Sequence, residues 1–401
     1  MRSSNRKYLY PVDQLRAAAA LLVVLYHSVQ LISASHTHHR FFQAATDWPY
    51  TRNPLATVVI EGHTGVALFM VLSGFIFTVG TLGADVRWLT FMRNRVLRIY
   101  PLYLVLLAVG GAEMSTRFDF GQFARLVLGL GSFGGIDYGG PWGAMFWAVS
   151  VEIQFYLLFP LLLRLLNRQG PTVLLKMIAA MVVLRVMAVL VQPDLDLTAF
   201  TYTSIVGRLD QFLFGMLAAV VFVKRRTWCR APTLVVSTLA AVAMLWGFNQ
   251  LHGYADPQWW RTVWVDVEGA VWAAFIASYV AVFERRKGFL ARGVAAVGER
   301  SYSIYLLHFV IVSWVAFQWG WIVPVGGPLV GAFLTGLVVV VPAALVVGFI
   351  SFSAIERPFL TLRGRYVEPA STAPATPVLA SEDGLAPLPG RHAHSSLDGQ
   401  G

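Results

Sequence analysis

The chain has 401 residues, of which 57% are hydrophobic and 13% are charged, and its formal net charge is +10. This composition excludes an ordinary soluble domain and indicates a protein with many membrane-spanning segments. A basic excess is also typical of nucleic-acid-binding proteins. In membrane proteins, however, it follows from the Lys and Arg of cytoplasmic loops, so we expect no nucleic-acid partner.

Ten apolar stretches are long enough to cross a hydrocarbon layer of about 30 Å as helices. They are predicted at residues 11–32, 56–80, 97–112, 144–166, 172–191, 199–223, 231–249, 264–283, 300–318 and 328–354. Their connections alternate between loops that together hold twenty Lys and Arg residues and loops that hold five. This asymmetry predicts a cell inner (plasma) membrane protein with both termini in the cytoplasm. The predicted fold is all-α and polytopic, with about ten helices around a polar central cavity.

We predict one transmembrane domain over residues 1–366. Residues 367–401 are rich in Ala, Pro, Ser and Gly and predict a disordered cytoplasmic tail. The stretch 113–143 predicts a partly helical lid or interfacial segment on the outer side. The single cysteine, Cys229, excludes a disulfide within the chain and a thiolate metal cluster, and we expect no metal.

The first apolar segment carries three ionisable residues, Asp13, Arg16 and His27. Eleven steps of 100° leave Arg16 and His27 only about 20° apart, so they share one face of the helix, and Asp13 falls on the same side. Ionisable groups facing lipid cost several kcal/mol, so this face is predicted to turn inward. His27 is then a candidate proton acceptor at neutral pH. The alternative is a histidine that only bonds a neighbouring helix.

The second segment begins near Glu61 and His63 and contains Ser73 and Gly74. The two small residues predict a close approach to another helix. Glu61 and His63 lie near the outer end. We expect an exposed interfacial pair, although one of the two side chains could help to orient His27.

Arg95 and Arg98 are three residues apart and share one helical face at the cytoplasmic boundary. The positive charges that normally lie at the cytoplasmic ends of membrane helices explain such a pair. The sharper hypothesis is a site for a phosphorylated cytosolic donor, because guanidinium groups grip phosphate with two parallel hydrogen bonds.

The fourth and sixth segments also carry charges. Glu152 has Tyr156 one turn further along, and we expect Arg16 or His27 to be its partner. Arg208 and Asp210 are two residues apart, which is about 200° on a helix. Each must therefore pair with another helix rather than with its neighbour.

The ninth segment places Ser301, Tyr305 and His308 on one polar face that enters the membrane. Glu356 closes the last helix at the inner boundary, where a cytoplasmic arginine is its expected partner. Five helices thus bring ionisable groups to the interior, which predicts a polar cavity reached from both sides.

Seven motifs occur in order over residues 13–359. They are DQLRAAAALLVVLYH, GVALFMVLSGFIFT, RNRVLRIYPLY, FWAVSVEIQFYLLFP, GRLDQFLFG, GERSYSIYLLH and IERPF. In this combination the chain resembles the integral-membrane acyltransferase-3 family of O-acyltransferases. One departure is that many relatives have two adjacent acids where this chain has Glu152 followed by Ile153.

The resemblance implies transfer of an acyl group, commonly acetyl, from cytosolic acyl-CoA to a hydroxyl of a carbohydrate or lipid-linked glycan. It implies that His27 is the catalytic residue, that Arg16 is required, and that Arg95 and Arg98 belong to the acyl-CoA site. His27 then serves as general base or as acyl carrier, and the two roles stay open. The catalytic residues are predicted to be His27, Arg16, Asp13 and Glu152, and the donor-binding residues Arg95, Arg98, Tyr305 and His308.

Two other functions compete with this prediction. A proton-coupled transporter also uses intramembrane His, Arg and Glu, but it needs no acyl-CoA. A sensor or an assembly scaffold for polysaccharide would bind no CoA ester at all. Membrane lipid is an expected partner in every case, and the oligomeric state is open.

Overall fold

The computed structural model describes residues 8–115, 118–132, 138–255, 258–286 and 288–368. In these ranges the chain forms sixteen α-helices and one pair of two-residue strands. In chain order the helices are α1 (Tyr10–His38), α2 (Ala44–Asp47), α3 (Pro54–Ile60), α4 (Thr64–Thr81), α5 (Trp88–Glu113), α6 (Phe120–Val127), α7 (Phe146–Gln169), α8 (Thr172–Val191), α9 (Ile205–Lys224), α10 (Ala231–Gln250), α11 (Arg261–Phe283), α12 (Phe289–Glu299), α13 (Ser301–Trp314), α14 (Pro328–Thr335), α15 (Val341–Ser351) and α16 (Arg357–Leu360).

Ten of the described stretches are long and apolar enough to cross a membrane. They correspond one to one with the ten predicted segments, so the all-α polytopic fold is confirmed. A π-helical turn extends α13 to Trp319, and two such turns join α14, α15 and α16 into a single span, Pro328–Leu360. The segment predicted at 97–112 begins earlier, at Trp88, because Arg93, Arg95 and Arg98 continue the helix instead of preceding it.

α1 lies at the centre of the bundle and packs against α4, α12, α13 and α14. The closest approach of α12 to α1 is at Gly298, where an added Cβ would meet the Asp13 carbonyl oxygen at 1.6 Å. α4 and α9 approach each other equally closely. A Cβ on Gly74 would lie 2.0 Å from the Phe212 carbonyl oxygen, and one on Gly215 would lie 2.1 Å from that of Val71. The predicted close approach at Gly74 is confirmed.

The chain that follows α16 folds back onto the start of α5. β1 (Asp85–Val86) and β2 (Val367–Glu368) pair in an antiparallel sense. Asn94 and Gly364 exchange two hydrogen bonds, of 2.7 and 3.0 Å. These contacts hold the segment against the bundle. Residues 369–401, most of the predicted tail, lie outside the described residues, so the tail stays a prediction.

The connection between α5 and α7 is partly helical, as predicted for 113–143, since it contains α6. Residues 116–117 and 133–137 of this connection lie outside the described ranges. Gln154 of α7 donates to the Gly129 carbonyl oxygen at 2.7 Å and to the Ser132 hydroxyl at 2.8 Å. These bonds attach the connection to the bundle.

Candidate active site

A cavity of about 170 Å³ opens between α1, α4, α5, α7 and α13. The polar side chains that line it are Tyr8, Asp13, Arg16, Ser73, Arg95, Arg98, Glu152, Tyr156, Glu299, Ser301, Tyr302, Tyr305, Arg363 and Tyr366. Six of the eight residues predicted to act in catalysis or donor binding are thus in this lining, and His27 and His308 are not.

Asp13 and Arg16 face the cavity together from α1. Arg16 Nη1 lies 3.2 Å from Asp13 Oδ1, and the two side chains are 23% and 11% exposed. The partial exposure of both groups reflects contact with the cavity rather than with apolar side chains. The pair therefore presents a guanidinium group, held in place by the Asp13 carboxylate, to the cavity.

Glu152 has hydroxyl partners instead of the expected ionic one. Tyr156, one turn further along α7, donates to Glu152 Oε1, and the Ser73 hydroxyl lies 3.4 Å from the same oxygen. The predicted pairing with Arg16 or His27 is wrong. Arg16 is held by Asp13, which is one turn away on its own helix, and Tyr156 occupies the near side of the carboxylate.

Arg95 is held in the cavity wall by aromatic rings. Its guanidinium carbon lies 4.7 Å from the centre of the Phe77 ring, 5.3 Å from that of Phe91 and 5.7 Å from that of Tyr156. Its buried Nε has no hydrogen-bond partner among the described residues. A buried donor without a partner is costly, so an anion entering the cavity would gain a bond from it.

Arg98 lies on the same face of α5 and has several partners. Its Nη1 lies 3.4 Å from Glu356 Oε2, and its Nη2 donates to the Glu299 carbonyl oxygen at 3.1 Å. The expected pairing of Glu356 with an arginine is confirmed, and Arg98 is that arginine. Ser303 also donates to Glu356, which is fully buried.

His27 and His308 form a pair at the far side of Tyr305. His27 Nδ1 lies 2.9 Å from His308 Nε2, and His308 Nδ1 lies 2.6 Å from the Tyr305 carbonyl oxygen. Neither imidazole is among the groups that line the cavity, whereas the Tyr305 side chain is. The His27 side chain keeps partial exposure, and that of His308 has none. Tyr305 is therefore the link between the cavity and the histidine pair.

Glu61 and His63 are buried rather than exposed, so the expectation of an exposed pair is wrong. His63 Nε2 lies 3.1 Å from Glu61 Oε2, and Glu61 Oε1 accepts from Trp48 at 2.8 Å and from Asn249 at 2.6 Å. The His63 ring also packs edge-on against Tyr26, the neighbour of His27 on α1. This network packs against the middle of α1.

Two further buried networks support α9. Asp210 lies 2.6 Å from Arg185 of α8, and Arg208 lies 3.5 Å from Glu268 of α11. The prediction that each residue pairs with another helix is confirmed. Both networks lie outside the cavity lining, which indicates that they serve the packing of the bundle. Among the described residues, no three His, Cys, Asp or Glu side chains cluster as metal ligands.

Comparisons with known proteins identify the family of this chain. A family profile described as "Acyltransferase domain", of the acyltransferase-3 family, matches residues 9–349. The acyltransferase MdmB of Streptomyces mycarofaciens is 25% identical over 350 residues, which cover 80% of this chain and 86% of that protein. The exopolysaccharide production protein ExoZ of Rhizobium meliloti is 28% identical over 319 residues, 76% of this chain and 91% of that protein.

The peptidoglycan O-acetyltransferase OatA of Listeria monocytogenes is 22% identical over 347 residues, 77% of this chain. This chain spans only 50% of that relative's length. No solved structure matches significantly. Because the family profile covers most of the chain, this protein belongs to the acyltransferase-3 family and is a multi-pass membrane O-acyltransferase.

Proposed function

We propose that this enzyme moves an acyl group, most simply acetyl, from cytosolic acyl-CoA to a hydroxyl of a cell-surface or exported carbohydrate. The observation that carries the proposal is the cavity, which joins Arg95 and Arg98 to Asp13, Arg16, Glu152 and Tyr305. The ring of Tyr305 lies 5.7 Å from that of His308, the hydrogen-bonded partner of His27. The enzyme would lie in the plasma membrane with both termini in the cytoplasm, which puts the arginines on the side where acyl-CoA is made.

The donor would bind with its nucleotide at the cytoplasmic mouth and its thioester inside. Arg95 has an unused buried donor, and a guanidinium suits phosphate oxygens. Arg98 would add a second positive charge while it stays tied to Glu356. The thioester end of the pantetheine arm would enter the cavity, and the nucleotide would stay at its mouth. Tyr305, whose buried hydroxyl has no described partner, would donate to the thioester carbonyl.

The chemistry assigned to His27 is general-base catalysis. His27 takes the proton of the acceptor hydroxyl while the oxygen attacks the thioester carbonyl, and the C–S bond then breaks to release CoA. A positioned base of this kind is worth roughly 10²–10⁴ in rate. Arg16 lies eleven residues from His27, about 16 Å along α1, so it would set the charge along the donor arm rather than at the oxyanion. In the relay version, His27 itself attacks, carries the acyl group and passes it to the hydroxyl.

The acceptor class comes from the names of the relatives. One is an O-acetyltransferase of peptidoglycan and another is an exopolysaccharide production protein, and both substances are carbohydrates. A free glycan and a lipid-linked glycan present the same hydroxyl chemistry to the outer end of the bundle.

The test is transfer by the purified protein in detergent or liposomes. With acetyl-CoA and a panel of peptidoglycan and exopolysaccharide fragments, we expect CoA release together with the mass increment of one acetyl group on a fragment. Flux of a small molecule that depends on a proton gradient, with no use of acetyl-CoA, would reject the proposal in favour of a transporter.

A further inference from the structure

The hydrogen bonds of His308 decide which nitrogen of His27 carries a proton. A neutral imidazole has one N–H donor and one acceptor nitrogen. The Tyr305 carbonyl oxygen can only accept, and it lies 2.6 Å from His308 Nδ1. His308 Nδ1 must therefore carry the proton, and His308 Nε2 is left as an acceptor.

The same logic applies one step further along. His308 Nε2 lies 2.9 Å from His27 Nδ1, and an acceptor nitrogen needs a donor there. His27 Nδ1 must therefore carry its proton. The lone pair of His27 then resides on Nε2, the ring nitrogen that does not face His308. The Tyr305 carbonyl oxygen on α13 thus determines, through the His308 ring, which nitrogen of His27 is basic.

We infer that His308 is a positioning residue that holds His27 in the Nδ1–H tautomer, so that His27 Nε2 faces the reaction as the base. The inference rests on the proposed role of His27. It also gives His308 a different role from donor binding, since its ring is fully buried and outside the cavity lining. When His27 takes a proton it becomes a cation, and its bond to the neutral His308 acceptor strengthens.

Rotation of the His27 ring is opposed by its neighbours. The Phe309 ring packs edge-on against it with 5.1 Å between ring centres, and the Tyr26 ring lies 4.8 Å away. The hydrogen bond therefore selects the tautomer in a ring whose orientation is already restricted. Without an acceptor at position 308, His27 would also populate the Nε2–H tautomer, although its imidazole would still be present.

The experiment compares three substitutions of His308 in the full-length protein. Gln places an amide oxygen where His308 Nε2 lies, whereas Asn is too short to reach it and Leu has no acceptor. We expect His308→Leu and His308→Asn to lower kcat by about 10- to 100-fold, as loss of an orienting partner of a functional histidine does in metal sites. The KM for acetyl-CoA should stay within about twofold, because ground-state binding is unaffected. We expect His308→Gln to recover most of the lost kcat.

A ¹⁵N spectrum of histidine-labelled protein provides a second readout that does not depend on turnover. The His27 signals, identified by their loss in His27→Ala, should show protonated Nδ1 and unprotonated Nε2, and His308→Asn should shift this pattern. Wild-type His27 found with its proton on Nε2 would overturn the inference, as would equal losses of kcat in the Gln and Leu variants. A raised KM for acetyl-CoA at unchanged kcat would return His308 to donor binding. Full activity of His27→Ala would reject the proposed base itself, whereas inactive His27→Ala with fully active His308→Leu would reject only the positioning role.

Discussion

Arg98 and Glu356 join the N-terminal half of α5 to the last membrane span, with 3.4 Å between Nη1 and Oε2. The carboxylate is fully buried, and the arginine side chain is 17% exposed. Arg98 thus has two functions that a single substitution would disturb together, since it neutralises Glu356 and also lines the cavity.

We predict that Arg98→Ala lowers the unfolding free energy by about 3–5 kcal/mol, because it leaves a buried carboxylate without its counter-charge. The double variant Arg98→Ala/Glu356→Gln should regain most of that stability but should not regain thermal stabilisation by acetyl-CoA. Unfolding in detergent, with and without acetyl-CoA, separates the two effects. If the double variant is stabilised by acetyl-CoA as the wild type is, Arg98 has no part in donor binding.

Arg95 provides the cleaner test of the donor site because it forms no ion pair with a described residue. We predict that Arg95→Met raises the KM for acetyl-CoA by about 10-fold or more, the value of a charge-assisted hydrogen bond of roughly 1.5–3 kcal/mol. Arg93→Met is the matched control. Arg93 is exposed on the same helix and donates to the Leu362 carbonyl oxygen at 2.9 Å. Equal KM values in the two variants would contradict the assignment.

The close packing of α4 on α9 predicts a strong dependence on glycine. Gly74→Ala and Gly215→Ala should each lower stability by about 1–3 kcal/mol, because the new methyl group would overlap backbone atoms of the other helix. Gly247 in α10 has open space around its Cβ position, so Gly247→Ala should leave stability unchanged or raise it by up to about 1 kcal/mol. Thermal midpoints of the three variants check the prediction, which fails if they agree.

Membrane orientation can be tested with single cysteines. Burial raises the pKa of the Cys229 thiol, so little thiolate forms and the native residue should label slowly. In a Cys229→Ser background, Trp228→Cys and Phe41→Cys replace side chains that are 63% and 55% exposed. We expect an impermeant maleimide to label position 41 in intact cells and position 228 only after lysis. The reverse pattern would place the arginine side of the cavity outside the cell.

The ten spans and several of the charge pairs could be predicted from the sequence because they depend on local patterns. Helical geometry alone shows that Arg208 and Asp210 face different neighbours, and the structure supplies Glu268 and Arg185. The burial of Glu61 could not be predicted in this way. Its partners Trp48 and Asn249 come from a loop and from α10, and no spacing rule brings them together.

The histidine pair shows the same limit. The sequence places His27 and His308 on inward faces of two helices, but the bond between them depends on the register of α13 against α1. The spacing of Tyr305 and His308 identified one polar face without showing that the tyrosine side chain would enter the cavity and the histidine would face the other way.

The central claim is that His27 is the group that takes the proton of the acceptor. The most direct measurement compares acetyl transfer by purified His27→Ala with that of His36→Ala, an exposed histidine in the last turn of the same helix. We expect His27→Ala to lose at least about 100-fold in kcat while it still inserts and is still stabilised by acetyl-CoA, and His36→Ala to match the wild type. Transfer by His27→Ala at the wild-type rate would contradict the account.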